Sequence, residues 1–292
     1  MKITIQDIRD YMHVNNYSYR TVQSYTIAIE RICIYCDKEP QQLDELDFKA
    51  FFEHLVYDTE LCWNSIHNIH GGLSFFYRIF LNNREYKKYV KYPKRSKKLP
   101  VVMSYNEVRL ILQYVKNLKH NTILKLLYST GIRLREIQFL TLDCIDFERK
   151  TIRIINGKGR KDRYVAISPA MGEQLIEYME KYNPSVFLFE TTNHKNNYSA
   201  GGIRHIMSNA RKALQLKKRI HTHCFRHTFA THMIEQGCNI LTLQRILGHE
   251  HLEATLVYLH TQNVDITRAP NPLDNLETSF VLGNGYITTN AQ

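Results

Sequence analysis

A basic, proline-containing segment divides this 292-residue sequence in two, and that division favours a fold with two separate cores. From Arg84 to Lys98 the sequence holds eight Lys and Arg, opposed only by Glu85. The stretch KKYVKYPKRSKKLPVVM has two prolines and no long apolar pattern, which is typical of an extended linker. A tether that merely improves solubility is the alternative. The predicted parts are a first domain at 1–90, a basic linker at 91–103, a second domain at 104–270 and a tail at 271–292.

The first ninety residues carry apolar side chains at spacings of three and four, the pattern of helices with one buried face. Val22, Tyr25, Ile29, Ile32 and Cys33 form one such stripe. No stretch alternates with period two over a useful length. We therefore predict an all-helical first domain. Two further stripes are Phe48, Phe51, Phe52 and Leu55, and Ile69, Leu73, Phe76, Phe80 and Leu81.

The second part is predicted to be mainly helical with one small sheet. Ser104 and Glu107 form a capping box that starts a helix. The runs TIRII and RYVAI flank the charged turn NGKGRKD, which is typical of a β-hairpin. Ser168 followed by Pro169 predicts another helix start. Further helices are expected at about residues 122–128, 202–216, 225–235 and 241–247, with a short piece ending at Tyr258.

The net charge of +11 is unevenly distributed. Besides the predicted linker, the stretch from Thr191 to Ile234 contains eight Lys and Arg and no Asp or Glu. Two basic stretches with so little acid favour binding to a polyanion such as DNA. A solvated cationic surface is the alternative that charge alone leaves open.

The start of the sequence, MKITIQDIRDYM, is charged and lacks the apolar core of a signal peptide. No window approaches the ~20 apolar residues of a membrane span. The six cysteines suit a reducing compartment, so we predict a cytoplasmic protein with no membrane partner. Cys33 and Cys36 form a CxxC inside an amphipathic helix, but no second CxxC completes a zinc site, and helix packing is the expected role.

Four segments of the second part carry polar residues that simple packing does not require. Each residue has an ordinary alternative when taken singly: a surface ion pair for an arginine, a core position for a histidine, and apolar packing for one of 19 tyrosines. The segments are TGIRLREI with Arg133 and Glu136, the hairpin turn with Lys158, HTHCFRHTFATHMI with His223 and Arg226, and LGHEHLEATLVYLHT with His249 and Tyr258.

In this order, the four segments resemble those of the tyrosine recombinase family, also called the phage integrase or Xer-type family. The family has an Arg after Thr-Gly, a Lys in a β-hairpin, a His-x-x-Arg, a Leu-Gly-His and a later Tyr. Here His249 follows Arg226 by 23 residues, and Tyr258 follows His249 by nine. SYRTVQSYTIAIERI and SIHNIHGGLSFFYRIF also resemble helices of the family's SAM-like core-binding domain. The resemblance covers about residues 1–260 and implies that domain followed by an α-rich catalytic domain with a small sheet.

The chemistry of phosphodiester transfer agrees with this resemblance. Negative charge on the non-bridging oxygens repels nucleophiles and grows in the transition state, so planar bidentate cations such as Arg133 and Arg226 are suitable ligands. Rejoining without ATP requires a covalent intermediate that stores the bond energy, and a phosphotyrosine at Tyr258 would do this. A phenol with a pKa of ~10 needs nearby cations or a base to react at neutral pH.

The resemblance also implies roles for further side chains. His223 is expected to be a base or a phosphate ligand, and His249 a second hydrogen-bond donor to the phosphate. Lys158 is expected to be the general acid that protonates the leaving 5′ oxygen, and Glu136 to orient the site. Neighbouring basic residues of the same turn leave the identity of the acid open: Arg160, Lys161 and Arg163.

A metal site is the alternative for the histidines at 221, 223, 227 and 232, because histidines at i and i+4 can share a metal ion. Arg226 lies among them, and a cation beside Zn²⁺ is unfavourable without carboxylates. We therefore predict no metal and no cofactor.

The predicted partner is a double-stranded DNA recombination site, bound by a homotetramer on two sites or by a hetero-tetramer with a paralogue. Two features depart from the family pattern: Arg135 stands where a small residue is common, and Pro270 and Pro272 interrupt the region that often forms a C-terminal docking helix. The second departure favours a mobile-element integrase over an Xer-type chromosome or plasmid dimer resolvase. Two competing hypotheses are a catalytically silent DNA-binding accessory protein and a type IB topoisomerase-like enzyme.

Overall fold

The computed structural model describes residues 3–82, 100–155, 162–193 and 196–259. The chain divides into two compact units, residues 1–97 and 98–292. Lys158, most of the predicted linker and the predicted tail lie outside the described residues. Among the described residues, no helix is both long and apolar enough to cross a membrane.

All regular elements in the described part of the first unit are helices, as predicted. Side-chain caps start three of its helices, because Thr4, Ser18 and Asp44 accept hydrogen bonds from the first turns. Helix α2 packs against α4, and a core of aliphatic and aromatic side chains fills the space between the helices. The helices are α1 (Ile5–Val14), α2 (Tyr19–Cys36), α3 (Glu45–Tyr57) and α4 (Trp63–Ile79), with a 3-10 turn at Pro40–Gln42.

The second unit confirms the prediction of a mainly helical domain with a small sheet. The capping box of Ser104 and Glu107 is present, and Ser168 with Pro169 starts a helix as expected. The helices are α5 (Tyr105–Tyr114), α6 (Leu118–Thr130), α7 (Leu134–Gln138), α8 (Pro169–Tyr182), α9 (Ala200–Ala213), α10 (Thr222–Glu235), α11 (Ile240–Leu247) and α12 (Glu253–Leu256), with a 3-10 turn at Leu142–Cys144.

The sheet has three antiparallel strands in the order β1-β2-β3: β1 (Ile145–Asp146), β2 (Thr151–Ile154) and β3 (Arg163–Ala166). The predicted hairpin is the β2–β3 pair, in which Ile152 lies opposite Val165 and both side chains are buried. Strand β1 was not predicted, because two residues are too few to show an alternating pattern.

The elements that bring the candidate residues together are α6, α10, α11 and β3. Helix α10 packs against α6 and α11, and α11 also contacts β3. A small apolar cluster of Phe229, Ala230, Leu243, Leu247 and Tyr258 joins α10 and α11 to the segment after α12. The ends of these elements form the candidate site.

Candidate active site

The Arg226 side chain is buried under the ends of two other helices. It lies on α10, is only 5% exposed, and donates hydrogen bonds to the carbonyl oxygens of Gly131 (2.7 Å) and Leu247 (2.6 Å). Those carbonyls belong to the C-terminal ends of α6 and α11, where the negative end of the helix dipole favours a cation. Burial and the charge of Arg133 lower the pKa of Arg226 to about 10, so the side chain stays cationic at neutral pH.

Two glycines make these helix ends possible. Gly131 and Gly248 end α6 and α11 with φ of +62° and +64°, in the left-handed region that side chains disfavour. A Cβ at Gly131 would lie 2.3 Å from Phe229, and a Cβ at Gly248 would lie 2.9 Å from the Cδ of Arg163. Both turns therefore require glycine for conformation and for space.

Arg133 lies directly before α7 and faces the same helix end. Its Nη2 donates to the Gly248 carbonyl oxygen at 3.1 Å, and its Nη1 donates to Glu136 Oε1 at 2.8 Å. A guanidinium group has five N–H donors, and the contacts of Arg133 and Arg226 to described residues use two of each. The remaining donors can bind an anion between the two groups.

Glu136 accepts hydrogen bonds from two arginines, Arg133 and Arg163. Arg163 Nη1 and Nη2 donate to the Glu136 carboxylate at 2.9 and 2.7 Å, and Arg163 Nε donates to the Ile246 carbonyl oxygen at 2.8 Å. Burial by itself would raise the pKa of Glu136, but the hydrogen bonds and charge of Arg163, with those of Arg133, lower it to about 2. Glu136 is therefore an anion that orients guanidinium groups.

Tyr258 lies in the first residues after α12, with a side chain that is 3% exposed. Its Oη is 3.1 Å from Nδ1 of His227 on α10. Burial raises the pKa of Tyr258, while the positive charges of Arg226 and Arg133 oppose that rise. The phenol is therefore protonated at neutral pH, and both arginines are close enough to act on it.

The two predicted histidines lie near the same groups, His249 beside Tyr258 and His223 within electrostatic range of Arg226 and Arg133. His249 follows Gly248, its ring is nearly parallel to that of Tyr258 with centroids 6.4 Å apart, and its Nδ1 is 2.9 Å from Thr255 Oγ1. His223 lies in the first turn of α10. Partial shielding from water lowers the pKa of His223, and the positive charges of His221, Arg226, Arg133 and Arg204 lower it further.

The sequence matches two protein-family models that together span most of the chain. Residues 102–264 match the phage integrase family, and residues 5–88 match the phage integrase N-terminal SAM-like domain. The chain belongs to the phage integrase family.

Named relatives agree with this membership. A putative integrase/recombinase, y4qK, of Sinorhizobium fredii is 31% identical over 93% of this chain and 88% of that protein. The tyrosine recombinase XerC of Leptospira interrogans is 28% identical over 84% of each chain. The predicted tyrosine recombinase family is thus confirmed.

Solved structures of integrases and recombinases share the fold. A lambda integrase dimer bound to a COC′ core site matches with a TM-score of 0.74 at 16% identity, over 91% of this chain and 96% of that one. The XerH recombinase in a pre-cleavage complex with difH matches with a TM-score of 0.67 at 20% identity, over 97% and 85%. At this identity the likeness concerns the fold.

The phage integrase fold brings together five of the six residues singled out in the sequence: Arg133, His223, Arg226, His249 and Tyr258. Lys158 is the sixth and lies outside the described residues. Sequence reasoning missed two contacts. Arg163 was considered only as an alternative to Lys158, yet it binds Glu136, and His227 was considered only as a metal ligand, yet it contacts the Tyr258 hydroxyl.

The available signals for these two residues were weak. His227 lies one helical turn after His223, which places both on one face of α10. Arg163 begins a strand, and its buried partner Glu136 is 27 residues away in the sequence. Among the described residues, no group of three or more His, Cys, Asp or Glu side chains could hold a metal ion.

Two basic cavities adjoin the site in this integrase-family unit. One, of about 760 Å³, has Arg133, Arg135 and Arg153 in its lining. The other, of about 330 Å³, has Arg204 and Arg211 in its lining and no acidic residue among those described. These surfaces suit a polyanion longer than a single phosphate.

Proposed function

We propose that this protein is a site-specific DNA recombinase in which Tyr258 attacks a DNA phosphodiester and forms a 3′-phosphotyrosyl intermediate. The observation that carries the proposal is the buried Tyr258 side chain, which lies close enough to Arg226 and Arg133 for their charges to act on its hydroxyl, while backbone carbonyls fix both guanidinium groups. Membership of the phage integrase family supports the same reaction.

Arg133 and Arg226 would bind the non-bridging oxygens of the scissile phosphate. Their anchors on the Gly131, Leu247 and Gly248 carbonyls fix both groups before DNA arrives, so little reorganisation is needed as charge develops. His223 and His249 would add hydrogen bonds to the same oxygens. Glu136 would act through the arginines rather than on the phosphate.

Lys158 remains the proposed general acid for the leaving 5′ oxygen. It falls between β2 and β3 in the sequence, and Arg153 and Ile154 of β2 line the cavity that Arg133 also lines. Arg163 is less suitable as the general acid, because its side chain donates hydrogen bonds to Glu136 and to the Ile246 carbonyl oxygen. Arg160 and Lys161 remain rivals for the role.

Double-stranded DNA is the proposed substrate. The basic cavities beside the site, the acid-free stretch from Thr191 to Ile234 and the net charge of +11 suit a duplex backbone. Related folds were solved in complexes whose names specify DNA, including the Tn1549 transposon integrase with transposon right end DNA. No metal and no nucleotide are required in this proposal, because the phosphotyrosyl bond conserves the energy for rejoining.

Strand exchange between two sites would involve four protomers, either of one chain or with a paralogue. A mobile-element integrase is the biological role that we propose, and the integrase names among the relatives favour it. Dimer resolution remains the second candidate, because relatives named XerC are almost equally similar.

The decisive experiment looks for a covalent bond between protein and DNA. The substrates are labelled duplex fragments from the DNA flanking the gene, each with a nick. After cleavage next to the nick, the short cleaved end diffuses away and the adduct cannot rejoin. Adducts are then resolved on a denaturing gel. We expect an adduct with the native chain, none with Tyr258→Phe, and a normal adduct with Tyr164→Phe, which alters an exposed tyrosine of β3.

The remaining outcomes separate the competing hypotheses. Binding to the fragments without any adduct would favour a silent accessory protein. An adduct that persists in Tyr258→Phe would exclude Tyr258 as the nucleophile. Relaxation of any supercoiled plasmid, without joined products from two sites, would favour a topoisomerase-like enzyme.

A further inference from the structure

The hydroxyl of Tyr258 has a neighbour that the proposed mechanism does not use. His227 Nδ1 is 3.1 Å from Tyr258 Oη, and the two ring centroids are 5.8 Å apart at 48°. His227 directly follows Arg226 on α10, so the element that fixes a guanidinium group also fixes this ring. The contact is within hydrogen-bond range, and the charge state and tautomer of the His227 ring decide which atom donates.

The surroundings keep the His227 ring neutral. Shielding from water lowers the pKa of His227, and the charges of His223, His221 and Arg226 lower it further, to about 4. Tyr258 is protonated, because burial raises its pKa. A neutral imidazole carries one N–H. In the tautomer with that proton on Nε2, Nδ1 accepts the hydrogen bond and the phenol O–H is the donor.

We propose that His227 is a catalytic residue that holds the Tyr258 hydroxyl and receives its proton as the phosphotyrosyl bond forms. The inference rests on the proposed function and adds a residue to that site. In the step, a lone pair of Oη forms the O–P bond while the O–H proton moves to Nδ1. The P–O5′ bond breaks, and the leaving oxygen takes a proton from the general acid.

The geometry has a directional consequence. A phenol oxygen has one proton and two lone pairs, and donation to His227 directs the proton towards α10. The lone pairs are then available to the phosphorus atom. A free phenol could instead donate its proton to a phosphate oxygen, which would leave the attacking oxygen poorly oriented.

A weak base is sufficient for this step if the proton moves late. As the O–P bond forms, the phenolic oxygen becomes far more acidic, so a ring with a pKa of about 4 can accept its proton. A bound phosphodiester also offsets the charge of Arg226 beside the ring, which favours protonation of His227. In the rejoining step the same proton returns to the departing phenol.

The test compares two substitutions of His227 in the full chain, using the nicked DNA fragment that gives an adduct with the native protein. His227→Leu removes the acceptor, and we expect adduct formation to slow by about 10²–10⁴-fold. His227→Asn can place an amide oxygen near the position of Nδ1 but cannot take up a proton, so we expect it to restore only part of the rate. His205→Gln, on the exposed side of α9, is the matched control and should react normally.

A modified substrate distinguishes this role from a loss of folding or of general acid function. Replacing the bridging 5′ oxygen with sulfur gives a leaving group that needs no proton. That substrate should restore cleavage to Lys158→Ala and leave His227→Leu slow, while thermal melting shows that both variants are folded. If the sulfur substrate restores His227→Leu, or if His227→Leu cleaves at the native rate, the inference is wrong. If the native chain forms no adduct at all, the proposed function fails instead.

Discussion

The two units of the chain differ in how far their charged side chains are buried. Among the described residues of the first unit no Asp, Glu, Lys or Arg is buried, and its Lys38–Asp47 ion pair keeps the lysine side chain 38% exposed. In the second unit the Arg163–Glu136 pair has side chains that are 9% and 8% exposed, beside the buried Arg226. Burying charged groups carries a desolvation penalty. The buried ion pair therefore makes the second unit less stable than apolar side chains of similar size would make it.

The buried charges of the second unit form a cluster of cations. Backbone carbonyls at two helix ends and one carboxylate hold three guanidinium groups, more cations than nearby described anions can neutralise. Such a site is complementary to an added anion. The first unit has no comparable cluster of cations within its described part.

The largest expected difference between the units comes from breaking each ion pair. Arg163→Met leaves Glu136 buried with one partner fewer, and we expect a loss of about 3–5 kcal/mol in the free energy of unfolding. Lys38→Met in the first unit should cost under about 1 kcal/mol, since its pair is partly exposed. Urea unfolding of both variants measures this, and equal losses would show that burial does not separate the two pairs.

Exchanging arginine and lysine in each unit tests whether the buried site needs a guanidinium group or only a positive charge. Arg226→Lys keeps the charge but loses the planar group that bonds two carbonyls, and we expect adduct formation to fall by about 10²–10³-fold. Lys38→Arg, the reverse exchange in the first unit, should leave adduct formation unchanged. A fully active Arg226→Lys would mean that charge alone is needed there.

The sequence predicts features that depend on neighbouring residues better than contacts between residues that are far apart in the chain. Ser104, Ser168 and the hairpin could be recognised because caps, turns and alternation are local patterns. Arg133, Arg226 and Tyr258 could be selected through a family spacing, although nothing local predicts that two carbonyls would bind Arg226. The Glu136–Arg163 pair and the His227–Tyr258 contact join residues 27 and 31 apart, and only the packed fold reveals them.

Acid should weaken the second unit through Glu136. Its pKa in the folded protein is about 2, below its ordinary value of 4.5, so the stabilisation is complete above pH 4.5 and is lost as pH falls towards 2. That shift corresponds to about 3 kcal/mol. Glu136→Gln lacks this contribution, so the stability gap between it and the native chain should narrow on acidification. Urea unfolding at several pH values tests this, and a constant gap would contradict it.

The smallest expected effect concerns Gly248, whose carbonyl receives Arg133. Gly248→Ala and Gly237→Ala both place a side chain at positive φ, +64° and +85°, which costs each about 1–2 kcal/mol. At Gly237 a Cβ would meet no atom within 4 Å, whereas at Gly248 it would lie 2.9 Å from Arg163 Cδ and 3.1 Å from its Nε.

Three hydrogen bonds hold the Arg163 side chain, so it cannot move aside freely. We therefore expect Gly248→Ala to cost about 1 kcal/mol more than Gly237→Ala, within the usual range for overpacking. Only Gly248→Ala should also slow adduct formation, because it displaces the Arg133 anchor. Equal losses of stability and normal cleavage in both variants would show that Arg163 yields to the new methyl group, and that the second unit is less rigid than its buried charges imply.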